Sequence, residues 1–202
     1  MRYNNKIILT FGVVAVSLLS GCSSVKVTRT EVTKTIDLSG RWNDTDSRLV
    51  SEEMIKDCLT RPWVNEVNMK TGKNPYVIVG TVVNRSSEHI DAQIFIKDLE
   101  KNLLNSGKVK FVASKEPRQE LREERTDQSQ YSSKETAKPF GKEIGADFML
   151  QGSINSVSDE RKGKSAVLYQ VTLELVNLET NEKVWIGQKE IKKIVSRSSF
   201  GW

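Results

Sequence analysis

The chain predicts an α+β fold, a mixed α/β sandwich: one mixed sheet ending in a three-stranded antiparallel meander, flanked by three to four helices. Three observations carry this. The run Tyr76-Val77-Ile78-Val79-Gly80-Thr81-Val82-Val83 is apolar on both faces, as a central strand covered on both sides should be. A helical stretch from about Ile90 to Ser106 separates it from the short β segment Lys110-Phe111-Val112-Ala113, the spacing of a right-handed parallel crossover. From Ala146 onward strands follow one another on short connections. Val167, Tyr169, Val171, Leu173 and Leu175 there alternate with Leu168, Gln170, Thr172 and Glu174, the period of a half-buried antiparallel strand.

The N-terminus opens with Arg2 and Lys6, then an apolar run from Ile7 to Leu19. That run is shorter than the roughly 20 residues of a spanning helix and suits a signal-peptide core. Leu19-Ser20-Gly21-Cys22 closes it with the residue order of a bacterial lipoprotein box, in which the cysteine is acylated and becomes the mature N-terminus. The expected organisation is a signal peptide over 1–21, a lipid anchor with a short tether over 22–36, and a single globular domain over 37–202. The full chain carries a formal net charge of +5. Arg2 and Lys6 leave with the signal, and the remaining mild basic excess, spread along the chain, is no nucleic-acid footprint.

Residues 23–36 contain neither Gly nor Pro and are rich in β-branched types. They read as extended chain or an edge strand, with a reach of about 50 Å. Turn-forming residues 37–46 lead into a helix capped by Asp44 or Asp46, with Leu49, Val50, Met54, Cys58 and Leu59 as its apolar stripe and Pro62 as its stop. Gly72 and Pro75 bracket a loop before the central strand. In the next helix Ile96, Leu99 and Leu103 share a face, and Gly107 is placed to end it. Residues 115–138 crowd charges around Leu121 and Tyr131, which predicts a solvent-facing helix. A further helical piece is expected from Lys134 to Gly145. Strands over 146–154 and 167–175 and from Lys183 to Val195, the last two joined at Thr180-Asn181-Glu182, complete the meander.

No catalytic constellation emerges. The single histidine, His89, lies in a polar stretch at a helix start, so neither a His-based triad nor a His-rich metal site can form. Glu52/Glu53 and Glu123/Glu124 are sequence neighbours that point apart on a helix. With one cysteine assigned to lipid, Cys58 has no disulfide partner and reads as a small buried hydrophobe. The chain is expected to be a binding protein, with no cofactor and no metal, and not an enzyme. Trp42, Trp63, Trp185 and Trp202 are each either core packing or interface anchors.

Asp37-Leu38-Ser39-Gly40-Arg41-Trp42-Asn43-Asp44-Thr45-Asp46-Ser47-Arg48 resembles the outer-membrane lipoprotein activators of class A penicillin-binding proteins, the LpoB type. The resemblance continues through Leu59-Thr60-Arg61-Pro62-Trp63, through residues 145–154 and through residues 183–193, and so spans about 37–195. Residues 145–154 are also similar to curli-secretion lipoproteins and to the N-terminal domain of TolB-like proteins. The resemblance implies an outer-membrane lipid anchor facing the periplasm, no enzymatic activity, and a peptidoglycan synthase as partner, whose glycan polymerisation and crosslinking are stimulated. Ser23 fits sorting to the outer membrane. The best-understood members carry a long Pro- and Gln-rich linker, where this tether is short. The alternative is a curli-secretion-like transport lipoprotein. It would need alternating strands of roughly 10 residues with a lipid-facing apolar band, against which Lys189, Glu190, Lys192 and Lys193 count. The candidate partner-binding residues are Arg41 and Trp42, exposed before the first helix, and then Arg118, Arg122 and Arg125.

Overall fold

The computed structural model describes residues 27–31, 33–133, 136, 142–161 and 163–196. The signal segment, Cys22 and Trp202 lie outside the described residues. Two compact units divide the chain at Lys34 and Thr35. In the first, residues 27–31 form no strand, and the Lys34 N–H donates to the Glu31 carbonyl at 3.1 Å in a turn. The edge-strand alternative is therefore not taken there.

In the second unit the first helix, α1, spans Asp44–Thr60. Its cap is Asn43, not Asp44 or Asp46. The Asn43 side chain accepts from the Asp46 N–H at 3.1 Å, and the Asp46 carboxylate accepts from the Asn43 N–H at 2.9 Å. This reciprocal box satisfies two orphan donors and makes Asp46 the third helical residue. Val50, Met54, Cys58 and Leu59 face inward as expected, but Leu49 is 47 % exposed and Ile55 is buried in its stead. After Pro62 a further helix, α2, spans Trp63–Thr71, an element not expected from the sequence, and the loop bracketed by Gly72 and Pro75 follows it. Pro62 has helical φ and ψ, a geometry its ring pre-sets, so it starts a helix as well as ending one. Gly72, at φ 67°, ends α2 in the left-handed region.

Next come β1 (Tyr76–Arg85), α3 (Ala92–Asn105, capped by Asp91), β2 (Lys110–Phe111) and α4 (Lys115–Tyr131). The expected helix from Lys134 to Gly145 falls mostly outside the described residues, and 142–146 are coil. β3 (Phe148–Arg161), β4 (Lys164–Asn177) and β5 (Lys183–Ser196) follow. The sheet order is β2-β1-β3-β4-β5, with β1 parallel to both neighbours and β3, β4 and β5 antiparallel. The mixed sheet with its C-terminal meander is thus the predicted one. β3 and β4 run further than expected, pairing out to Arg161 and Lys164, whereas β1 stops where Arg85 meets Asn155.

A bulge in β1 between Val79 and Val82 keeps Val77, Val79 and Val82 all buried. With Phe148, Leu150, Ile154, Tyr169, Val171, Leu173, Leu175 and Trp185 they meet α1 and the Phe95, Leu99 and Leu103 side of α3. On the opposite face Ile78 is buried but Val83 is exposed, so cover there is partial. Every residue of this core lies between Val50 and Trp185. A chain beginning at Ser23 keeps all of it.

Gly152 on β3 lies opposite Leu173 of β4. A Cβ there would collide with the Thr172 carbonyl and lie 2.7 Å from Leu173 Cδ2. Gly152→Ala should lower stability by about 1–3 kcal/mol, since backbone rather than a pliable side chain must yield. Thermal unfolding checks this, and an unchanged midpoint would contradict the tight approach.

Candidate functional site

The Arg41–Trp42 corner is built by residues far apart in sequence. The Trp42 ring is half-buried, edge-on to Phe95 at 6.2 Å and to Tyr169 at 5.6 Å. Its indole N–H donates to Ser47 Oγ at 2.8 Å. Glu88 joins the corner to the sheet: one carboxylate oxygen accepts from the Trp42 backbone N–H at 3.2 Å and the other from the Tyr169 hydroxyl at 2.5 Å. Burial and the Glu88 charge push the Tyr169 phenol upward, so it stays protonated and donating. The Arg41–Trp42 pair is thus split. Trp42 is a packing residue, because its ring edges and its N–H all find partners inside, and only the Arg41 side chain is exposed.

Beneath the corner, Lys193 reaches inward from β5. Its ammonium lies 2.6 Å from Asp46, 2.7 Å from Asp37 and 3.0 Å from the Arg41 carbonyl. The Lys193 side chain is 10 % exposed and that of Asp46 8 %. Burial by itself would lower the Lys193 pKa, but Asp37 and Asp46 hold it above the ordinary value. Asp37 in turn is held low by its hydrogen bond from Lys193. The segment before α1 is therefore strapped across the end of β5.

The second candidate group lies on α4, a helix with no buried residue. Arg122 and Arg125 do not stand free. Arg122 forks onto Glu143 with contacts of 3.0 and 2.7 Å, and Arg125 adds one of 3.1 Å, which ties coil 142–146 to the helix. The Arg122 hydrogen bonds bring the Glu143 carboxyl down to about 2, with Arg125 adding to the effect. A depressed carboxylate contributes above its ordinary pKa and loses that contribution as pH falls through the depressed value. The clamp should therefore persist at pH 4 and open only near pH 2. Glu143→Gln should speed amide exchange in α4 and leave β4 amides unchanged. Equal α4 protection in the variant would contradict the clamp.

Arg118 differs from its two neighbours. It is half-buried, and its Nε, buried, has no hydrogen-bond partner. It lines a groove of about 760 Å³ with Ile78, Val82, Ile96, Lys97 and Met149. The groove follows β1 beyond Val77, where pairing with β2 has ended.

Elsewhere the polar chemistry is internal. The Cys58 thiol is fully buried, and burial pushes it up to about 12, which leaves it unreactive at neutral pH. Trp63 donates to the Cys58 carbonyl at 2.8 Å and packs on Phe148, while Trp185 donates to Asp57 at 2.8 Å. Both take the packing role. Glu52 pairs with Arg48 and Glu53 with Lys189, so those carboxylates do diverge. His89 is exposed, and the cap of α3 is Asp91. Among the described residues no group of three His, Cys, Asp or Glu side chains could hold a metal ion.

Comparison with curated proteins gives no match. Among solved structures, the LpoB C-terminal domain from Salmonella enterica is 20 % identical, with a TM-score of 0.33, covering 64 % of this chain and 93 % of that one. The Escherichia coli LpoB C-terminal domain is 22 % identical, with a TM-score of 0.32, covering 67 % and 94 %. Lipoprotein GNA1162 from Neisseria meningitidis is 13 % identical, with a TM-score of 0.37, covering 62 % and 88 %. The family model for the peptidoglycan-synthase activator LpoB matches residues 46–191, from the buried acid of the α1 cap to the strand that faces it. That span is well over half of the chain, and the protein belongs to the LpoB family of peptidoglycan-synthase activators.

Proposed function

We propose that this protein is an outer-membrane lipoprotein, acylated at Cys22, that binds a class A penicillin-binding protein from the periplasmic side and raises its synthetic activity. Residues 1–21 are its signal peptide, 22–36 its anchor and tether, and 37–202 its working domain. The family match over residues 46–191 is the observation that carries this reading. The protein acts by binding, without catalysis of its own. An activator must bind the synthase's active conformation more tightly than its resting one, and about 1.4 kcal/mol of difference shifts that equilibrium tenfold.

Among the five candidate contact residues, Trp42, Arg122 and Arg125 have internal partners, which leaves Arg41 and Arg118 for the synthase. The acyl-free chain beginning at Ser23 should capture a class A synthase. Arg41→Glu and Arg118→Glu together should weaken that complex about tenfold or more, since like-charge juxtaposition and a lost anchor act in the same direction. Undiminished binding by the double variant would remove this surface from the proposal. Failure of the unsubstituted chain to bind any class A synthase would remove the partner.

A further inference from the structure

Beyond Asn155 the sheet narrows to three strands. β3 and β4 stay paired to Arg161 and Lys164, and β5 accompanies them to Ser196, but β1 has ended. This arm has two unlike faces. Lys193 and Val195 turn toward the helices and the strap before α1, where Gly40 meets Val195. The other face, by strand alternation, carries Val157, Leu168, Ala166 and Ile194 in one apolar strip. Val157 is 70 % exposed and Ile194 72 %. Around the strip stand Arg161, Lys164 and Lys192, all exposed, with Asp159 and, at the base of the arm, Glu190 as the carboxylates on that face. None of the three cations is ion-paired among the described residues.

The tether reaches the domain beside this arm, on its helix side, so the arm is the part of the sheet nearest the anchor. Asp37 sits on Lys193, the neighbour of Lys192 and Ile194, so the chain enters the domain at the arm. From Cys22 to that point the chain spans at most about 50 Å. We propose that the outer face of the arm rests on the anionic lipid surface to which the chain is tethered. Val157 and Ile194 enter the headgroup layer, and Arg161, Lys164 and Lys192 meet lipid phosphates. The inference rests on the lipid-anchored reading above for its orientation. It leaves Arg41, on the helix side of the sheet, turned away from the membrane and free for a partner.

The net of three cations against two carboxylates favours an anionic over a neutral surface by roughly fivefold at low salt. The test uses the chain beginning at Ser23. It should partition into phosphatidylethanolamine–phosphatidylglycerol vesicles by about that factor over phosphatidylcholine vesicles. The preference should vanish in Arg161→Glu/Lys164→Glu/Lys192→Glu, with circular dichroism and synthase capture retained, and should weaken in Val157→Ser/Ile194→Ser. Equal partition into both vesicles, or a triple variant that behaves as the parent, overturns the proposal. So does a dimer in solution that the triple variant dissolves, because a second copy would then cover the face. Mass analysis of Cys22 in membrane-purified protein keeps the anchor separate. An acylated Cys22 without vesicle preference leaves the anchor and removes the arm, and preference without acylation does the reverse.

Discussion

Lys193→Ala is expected to cost about 3–5 kcal/mol of folding stability, the range for removing one partner of a buried ion pair. The ammonium answers Asp46, Asp37 and the Arg41 carbonyl together. Asp37 is 46 % exposed and can turn to water, but Asp46 at 8 % cannot. Without Lys193 the Asp46 carboxylate loses its buried cation, while it is still needed there to accept from the Asn43 N–H. At about 2–4 °C per kcal/mol for a domain of this size, the melting temperature should fall by roughly 10 °C. Lys193→Met with Asp46→Asn should recover much of the loss, because no buried charge remains and the amide oxygen can still serve the cap. The pH dependence has a fixed sign. The Lys193 pKa is raised, so its contribution is complete below the ordinary lysine value of 10.5 and is lost as pH rises through the higher folded one. Melting curves of the three proteins at neutral pH and in alkali decide this. An undisturbed Lys193→Ala midpoint would mean that the strap before α1 is not held by this residue.

Trp42→Ala should be nearly as damaging, at about 3 kcal/mol, since an indole packed edge-on to two core rings leaves a cavity that its neighbours fill only in part. The change also orphans Ser47 Oγ, which loses its donor inside the fold. Trp42→Phe keeps the ring contacts, loses the hydrogen bond and should cost about half as much. The prediction separates two roles for an aromatic placed before a helix. If Trp42→Ala melts as the parent does but fails to capture a synthase, the ring is an interface anchor and its packing is incidental. If it melts early and its folded fraction still binds, the corner is architectural and Arg41 alone looks outward.

Legibility in the sequence followed the range of the interactions. The central strand, the Ile96–Leu99–Leu103 helix face and the β4 alternation depend on local period, and all three stand in the structure. The helix after Pro62 was hidden because proline marks both ends of helices, and only Trp63 and Val64 of that helix are buried. The far half of the β3–β4 hairpin was hidden because Ser158 to Lys164 lack an apolar rhythm, and backbone pairing across the turn holds them instead. The candidate site depended most on long-range contacts. Glu143 lies far along the chain from Arg122 and Arg125, and Tyr169 further still from Trp42, so neither local pattern nor charge count could say which arginine was free. One local signal did exist: the spacing of Asn43 and Asp46 is that of a capping box, with Asn and Asp in place of the usual residue types.

The claim that this domain activates a synthase is tested most directly by glycan polymerisation. A purified class A penicillin-binding protein would be assayed on lipid-linked precursor with and without the acyl-free chain beginning at Ser23. The predicted result is a faster, saturable rate whose half-maximal concentration rises about tenfold for Arg41→Glu/Arg118→Glu. A rate unchanged at concentrations where the complex is demonstrably formed would contradict activation and leave only binding.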